Sequence, residues 1–227
     1  MSKKQEEAPF VDVQETLNNW ETKIENNKQP LIIISSAIIL IVVLYFSYTK
    51  LYLGPQEQKA QSEMFAAETY FAKDSLDKAM FGDGTNSGFS DIIDGYGMTK
   101  AANLANYYMG ICHLKKGEYT EAIDFLKDFK SDDLVLSSIA MGATGDAYSE
   151  LQNYNEAVSY YLKAANSNKN KFASPIYLMK AGSVYEELAD YENAIKVYEK
   201  IKKEYAETNE GREIEKYIGR AKTAAGI

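Results

Sequence analysis

The chain has 227 residues, 45% of them hydrophobic, a formal net charge of -8, and a single cysteine and a single histidine, Cys112 and His113. The length leaves room for a short tail, one membrane span and one soluble domain, and the lone thiol and imidazole exclude a disulfide framework, a cysteine-histidine zinc site and most nucleophile-histidine pairs. The acidity lies in residues 51–227, with 20 Lys and Arg against 27 Asp and Glu, which argues against nucleic acid as a partner and against anionic lipid surfaces.

In the first 29 residues, Phe10, Val13, Leu17, Trp20 and Ile24 recur at spacings of 3 and 4, so they share one side of a helix. This amphipathic stripe reads either as a docking helix anchored by Trp20 or as a helix lying on the bilayer surface. Glu15, Glu21 and Glu25 on the other side favour the protein contact.

Residues 31–48 carry no charge over eighteen positions. At about 1.5 Å per residue they approach the roughly 30 Å hydrocarbon core, and extension to Leu53 completes a transmembrane helix over residues 30–53. Bulky Tyr48, Leu51, Tyr52 and Leu53 follow where a cleaved signal would have small residues. Pro30 suits a first helical turn, Tyr45, Tyr48 and Tyr52 suit the headgroup layer, and Gly54 and Pro55 read as terminators. Lys23 and Lys28 before the span are balanced by Lys50 and Lys59 after it; Lys3 and Lys4 tip the bias toward a cytoplasmic N-terminus.

The strongest signal is a repeat. Gly110, Tyr119 and Ala122 recur 35 residues later as Gly145, Tyr154 and Ala157, and again after 37 as Gly182, Tyr191 and Ala194. Small residues let two antiparallel helices approach closely, and aromatics fill the gaps between them. Tyr148 and Tyr185 hold an aromatic slot three residues after the glycine, where the first unit has His113, a core position rather than a ligand. Ala67, Tyr70, Leu76 and Ala79 form a degenerate earlier unit, interrupted by the turn-forming run of residues 82–88. Ile214, Tyr217, Ile218 and Ala221 mark a capping helix.

These units resemble the tetratricopeptide repeat. The expected fold is all-α: an N-terminal transmembrane helix, then a tetratricopeptide right-handed superhelix over residues 56–227, closed by a capping helix. The degenerate unit covers about 60–99, the repeats about 103–136, 138–172 and 175–208, and the cap about 209–224. The first helices of the units are expected to line a partner-binding groove through Tyr107, Ile111, Asp146, Glu150, Met179, Ser183 and Glu186, with Leu104, Ile139, Gly142 and Ile176 on the same wall. That mixed apolar and acidic surface lacks the Lys, Arg and Asn set of a carboxylate clamp and suits unfolded or amphipathic segments carrying basic residues.

The whole layout resembles the YfgM-like family of ancillary subunits of the bacterial SecYEG translocon. The run at residues 88–114, GFSDIIDGYGMTKAANLANYYMGICHL, is similar to Bacteroidetes-type members. The resemblance implies a single-pass inner-membrane protein with its repeats in the periplasm, partnered by Sec translocon subunits, a membrane-anchored periplasmic chaperone and exported polypeptides. It implies no catalytic residue, cofactor or metal, and the chain reads as a binding protein, not an enzyme. Two other readings share the architecture: a scaffold in envelope assembly or cell division, and a membrane-anchored import receptor facing the cytosol.

Overall fold

The computed structural model describes Trp20 and residues 23–25, 27–167 and 169–227. Of the N-terminal stripe, Phe10, Val13 and Leu17 lie outside the described residues, and Trp20 and Ile24 are exposed. The chain divides into two compact units, Met1–Pro55 and Gln56–Ile227.

In the first unit, helix α1 (Lys28–Ser47) buries none of its side chains, and the helical run that it opens is the one among the described residues long and apolar enough to cross a bilayer. It passes into a π-helical stretch, Tyr48–Leu53, where Tyr48 and Tyr52 stack with ring centroids 5.5 Å apart. Gly54 and Pro55 do not terminate it, contrary to the expectation from sequence; they open α2 (Gly54–Ala72). The Gly54 amide donates to the Thr49 carbonyl five residues back. That wider turn leaves room for a proline ring, which has no N–H to place and would otherwise strike the carbonyl four residues back.

The second unit continues from α2 through α3 (Leu76–Phe81), α4 (Phe89–Tyr96), α5 (Lys100–Lys116), α6 (Tyr119–Asp128), α7 (Leu134–Glu150), α8 (Tyr154–Ser167), α9 (Ser174–Glu187), α10 (Tyr191–Glu204) and α11 (Asn209–Ala225). From α3 to α11 each helix packs on the next, and α3 also meets α5, α5 meets α7 and α9 meets α11. Side chains stop and start the helices where orphan backbone groups need partners: Thr99, Asp133, Asp190 and Thr208 cap N-termini, and left-handed Gly117 closes α5.

The repeated glycines sit where the two helices of a unit touch. A Cβ on Gly110 would lie 2.6 Å from Leu126, on Gly145 2.7 Å from Tyr161, and on Gly182 2.2 Å from Tyr198. Each partner follows its glycine by 16 residues, so the later aromatic slot fills the space the missing side chain leaves inside its own unit. The slot three residues after the glycine stacks on the second helix instead. His113 lies on Phe125 with centroids 5.2 Å apart, and Tyr148 lies on Tyr160 at 5.4 Å. His113 is buried, its Nδ1 is 2.7 Å from a Glu118 carboxylate oxygen, and its Nε2 is enclosed without a hydrogen-bond partner. Cys112 is fully buried beside it, and desolvation pushes its thiol up to about 11, so it stays protonated and inert at neutral pH.

In the degenerate unit the helix breaks between α3 and α4. Gly82 takes φ +78°, and a Cβ on Gly88 would lie 2.5 Å from the Met80 carbonyl oxygen, so the turn closes only with glycine at both ends. Asp83 organises the loop between them, accepting from the Thr85 and Asn86 amides and from the Tyr70 hydroxyl at 2.6 Å. The Tyr70 bond and the two amides hold its carboxyl well below the usual range.

A fourth glycine was not recognised in the sequence. Gly219 on α11 follows Gly182 by 37 residues, the interval that separates Gly182 from Gly145. No atom lies within 4 Å of the place its Cβ would take, and Arg212, Glu215 and Lys222 around it are exposed. α11 is thus the first helix of a unit whose second-helix face has become polar, which is what a solenoid end requires. Gly219→Ala is expected to raise the stability of this helix by about 1 kcal/mol, since it gains helix propensity and meets nothing. Thermal melting of the purified protein checks it; a lower midpoint would mean that the glycine has a partner.

Candidate functional site

The first helices α5, α7 and α9 lie side by side, as their seams show. Tyr107 and Ile111 of α5 pack into the cluster formed by Leu126, Phe129, Ala140 and Ala143, and Tyr107 meets Phe129 with ring centroids 5.5 Å apart. Tyr177 of α9 covers Gly142 of α7 so closely that a Cβ there would lie 2.1 Å from its ring. Gly142 therefore belongs to the α7–α9 seam and does not line an open groove. Burial pushes the Tyr177 hydroxyl up to about 12, so it stays neutral in that seam.

The acids expected on the wall are bonded within the fold. Asp146 receives Lys180 at 2.6 and 2.7 Å and the Tyr161 hydroxyl at 2.6 Å. Glu186 receives the Tyr198 hydroxyl at 2.7 Å and both arms of Arg220, at 2.8 and 2.9 Å. The two arrangements are the same device in successive units. A buried tyrosine of the second helix donates to an acid of its own first helix, and a base from the next first helix closes the charge. Burial and then the acid beside it raise the pKa of Tyr161 and Tyr198, which fixes both hydroxyls as donors. Glu150 points away from the wall, toward the start of α6, where the Tyr119 hydroxyl donates to it at 3.3 Å. Met179 is partly buried against the cluster around Tyr198, and Ser183 is exposed.

The open part of the wall is apolar. Ile139 and Ile176 are 37% and 43% exposed at the same register of α7 and α9, and Val135 and Phe172 repeat the pattern four residues earlier, at 55% and 86%. Phe172 and Ile176 border an open cleft of about 420 Å³ with Lys171, Glu207 and Thr208. Sequence reasoning placed Ile139 and Ile176 on the wall but passed over Val135 and Phe172. Their signal was the same 37-residue interval, read one turn before the expected helix starts. Exposed large apolar side chains repeated in register are unusual on a water-facing surface and mark a contact surface.

Residues 104–133, 140–171 and 177–208 each match the tetratricopeptide repeat. No curated protein matches the chain. Among solved structures, the crystal structure of MamA protein superposes with a TM-score of 0.59 at 19% sequence identity, over 74% of this chain and 82% of that one. At this identity the likeness speaks for the fold. The chain is an all-α protein with tetratricopeptide repeats, an architecture of protein-binding scaffolds that are typically not enzymes.

Proposed function

We propose that this chain is a membrane-anchored tetratricopeptide adaptor and chaperone that works beside the Sec translocation channel of a bacterial inner membrane. Its N-terminus lies in the cytoplasm and its repeats in the periplasm, where they engage channel subunits, a membrane-anchored periplasmic chaperone and emerging polypeptides. The sequence layout supports the setting: one uncleaved apolar anchor joined without a linker domain to a small repeat array, in the pattern of the YfgM-like family. The observation that carries the binding role is the apolar ladder of Val135, Ile139, Phe172 and Ile176, exposed on α7, on α9 and in the turn that leads into α9.

The wall's chemistry also narrows what it selects. Asp146 and Glu186 are already paired with Lys180 and Arg220, so a partner gains little by bringing cations to them. Apolar side chains of an unfolded or amphipathic segment gain more, since each buried against the ladder contributes about 1.5–3 kcal/mol before the cost of ordering is subtracted.

Photo-crosslinkers placed at Ile139 and Ile176, followed by isolation in mild detergent, test the reading. Channel subunits and exported chains among the adducts support it. Division or outer-membrane assembly proteins in their place would assign the scaffold reading, and a C-terminal domain that added protease digests in intact spheroplasts is required for the periplasmic orientation. The paired change Ile139→Ser with Ile176→Ser is expected to lower crosslinking from a neighbouring site several-fold while costing about 1 kcal/mol of stability per site, since both side chains are more than half buried.

A further inference from the structure

Away from the first-helix wall, a cleft of about 550 Å³ opens between the first and second full repeats, bounded by α6, α7 and Tyr160 of α8. It arises from a shortened helix. α8 and α10 run 14 residues from Tyr154 and Tyr191, whereas α6 starts at the equivalent Tyr119 and runs 10. The missing turn would have covered α7. The chain instead crosses through residues 129–133, held by a two-bond clamp in which Asn103 donates to the Lys130 carbonyl at 2.6 Å and accepts from its amide at 2.9 Å. The cleft is therefore preformed.

Its floor is apolar, made by Leu126, Phe129, Ala140 and Met141, and its rim carries Lys127 and Lys130. Lys127 donates to the Tyr148 hydroxyl at 2.6 Å, and Lys130 donates to the Lys127 carbonyl. Both acceptors are neutral, and among the described residues neither lysine has a carboxylate within ion-pairing distance. Lys115, Lys116, Lys180 and Lys202, which bridge neighbouring segments elsewhere in this acid-rich domain, each have one. Asp132 is the one acid at the rim. The volume falls in the range of sites that enclose a side chain or a small ligand.

We infer that this cleft docks a short acidic segment of a partner protein, with an aromatic or aliphatic side chain seated on the floor and flanking carboxylates on Lys127 and Lys130. Charge complementarity selects that occupant: two cations that form no ion pair among the described residues, over an apolar floor, repel basic segments and reward acidic ones. The site is separate from the apolar ladder, which rewards apolar side chains and not charge, so one array holds two unlike segments at once.

The test is fluorescence anisotropy on the full chain in neutral detergent, with a short labelled peptide whose Asp and Glu residues flank one Phe and one Leu. Binding is expected to weaken about tenfold when the peptide's acids become amides, or when Lys127→Gln and Lys130→Gln are combined. Ser137→Trp, which fills the cleft from its rim, is expected to abolish binding with the melting midpoint retained. Ile139→Ser with Ile176→Ser is expected to leave it unchanged, which separates failure here from failure of the chaperone reading. Equal binding of the acidic and amide peptides, or survival of binding in the Ser137→Trp protein, overturns the inference. So does displacement by phosphatidylglycerol vesicles with no effect of replacing the peptide's Phe and Leu by Ala, an outcome that would assign the rim to lipid headgroups.

Discussion

Gly182→Ala is expected to destabilise the repeat domain by about 2 kcal/mol, although alanine is the better helix former by about 1 kcal/mol. The added methyl would lie 2.2 Å from the Tyr198 ring, and the ring has nowhere to go. Tyr198 is fully buried, its hydroxyl is bonded to Glu186, and Glu186 is gripped by Arg220. The clash must therefore be relieved by separating α9 from α10. In a domain of this size the melting midpoint should fall by roughly 4–8 °C. A sign reversal distinguishes this account from a general intolerance of the position. In a Tyr198→Ala background, itself destabilised by about 3–5 kcal/mol, Gly182→Ala should become neutral or stabilising, because the atom it strikes is gone. An alanine that leaves the parent unharmed would mean that the glycine register does not set the helix contact.

The second large effect is expected at Phe89. It is fully buried, stacks on Tyr108 with ring centroids 4.8 Å apart and planes 3° from parallel, and meets Phe71 edge-on at 6.4 Å. It fills the space where α4 resumes after the loop, between α2 and α5. Phe89→Ala should cost about 3–5 kcal/mol, whereas Phe65→Ala, 71% exposed on α2, should cost under about 0.5 kcal/mol. Because each repeat touches only its neighbours, the damage should stay local: amide exchange should rise in α2 to α5 while α9 to α11 keep their protection. Uniform loss across the array would show that the degenerate unit folds as one body with the rest.

The sites differ in how readily a sequence shows them. Gly110, Gly145 and Gly182 announced themselves because close helix contact demands a small residue at a fixed phase, and phase is a property of one dimension. Asp146 and Glu186 looked alike in the sequence, as exposed acids on a groove. Their saturation by Lys180 and Arg220 depends on the next helix being in place. Val135 and Phe172 carried the repeat interval but lay before the expected helix starts, where periodicity gives no facing. The cleft over Leu126 and Met141 followed from a helix one turn shorter than its equivalents, and helix ends are the least legible feature of a sequence.

By itself, then, the sequence determined the long apolar helix, the helical repeat and the near-constant interval that phases it, because hydrophobic length and small-residue spacing act along the chain. The tertiary structure alone decided which side chain fills each glycine's gap and which acids remain free. It also decided where apolar surface stays open, and that Gly54 and Pro55 continue a helix by widening its turn. These outcomes depend on atoms brought together from different units, and no local pattern records how much of a side chain its neighbours will cover.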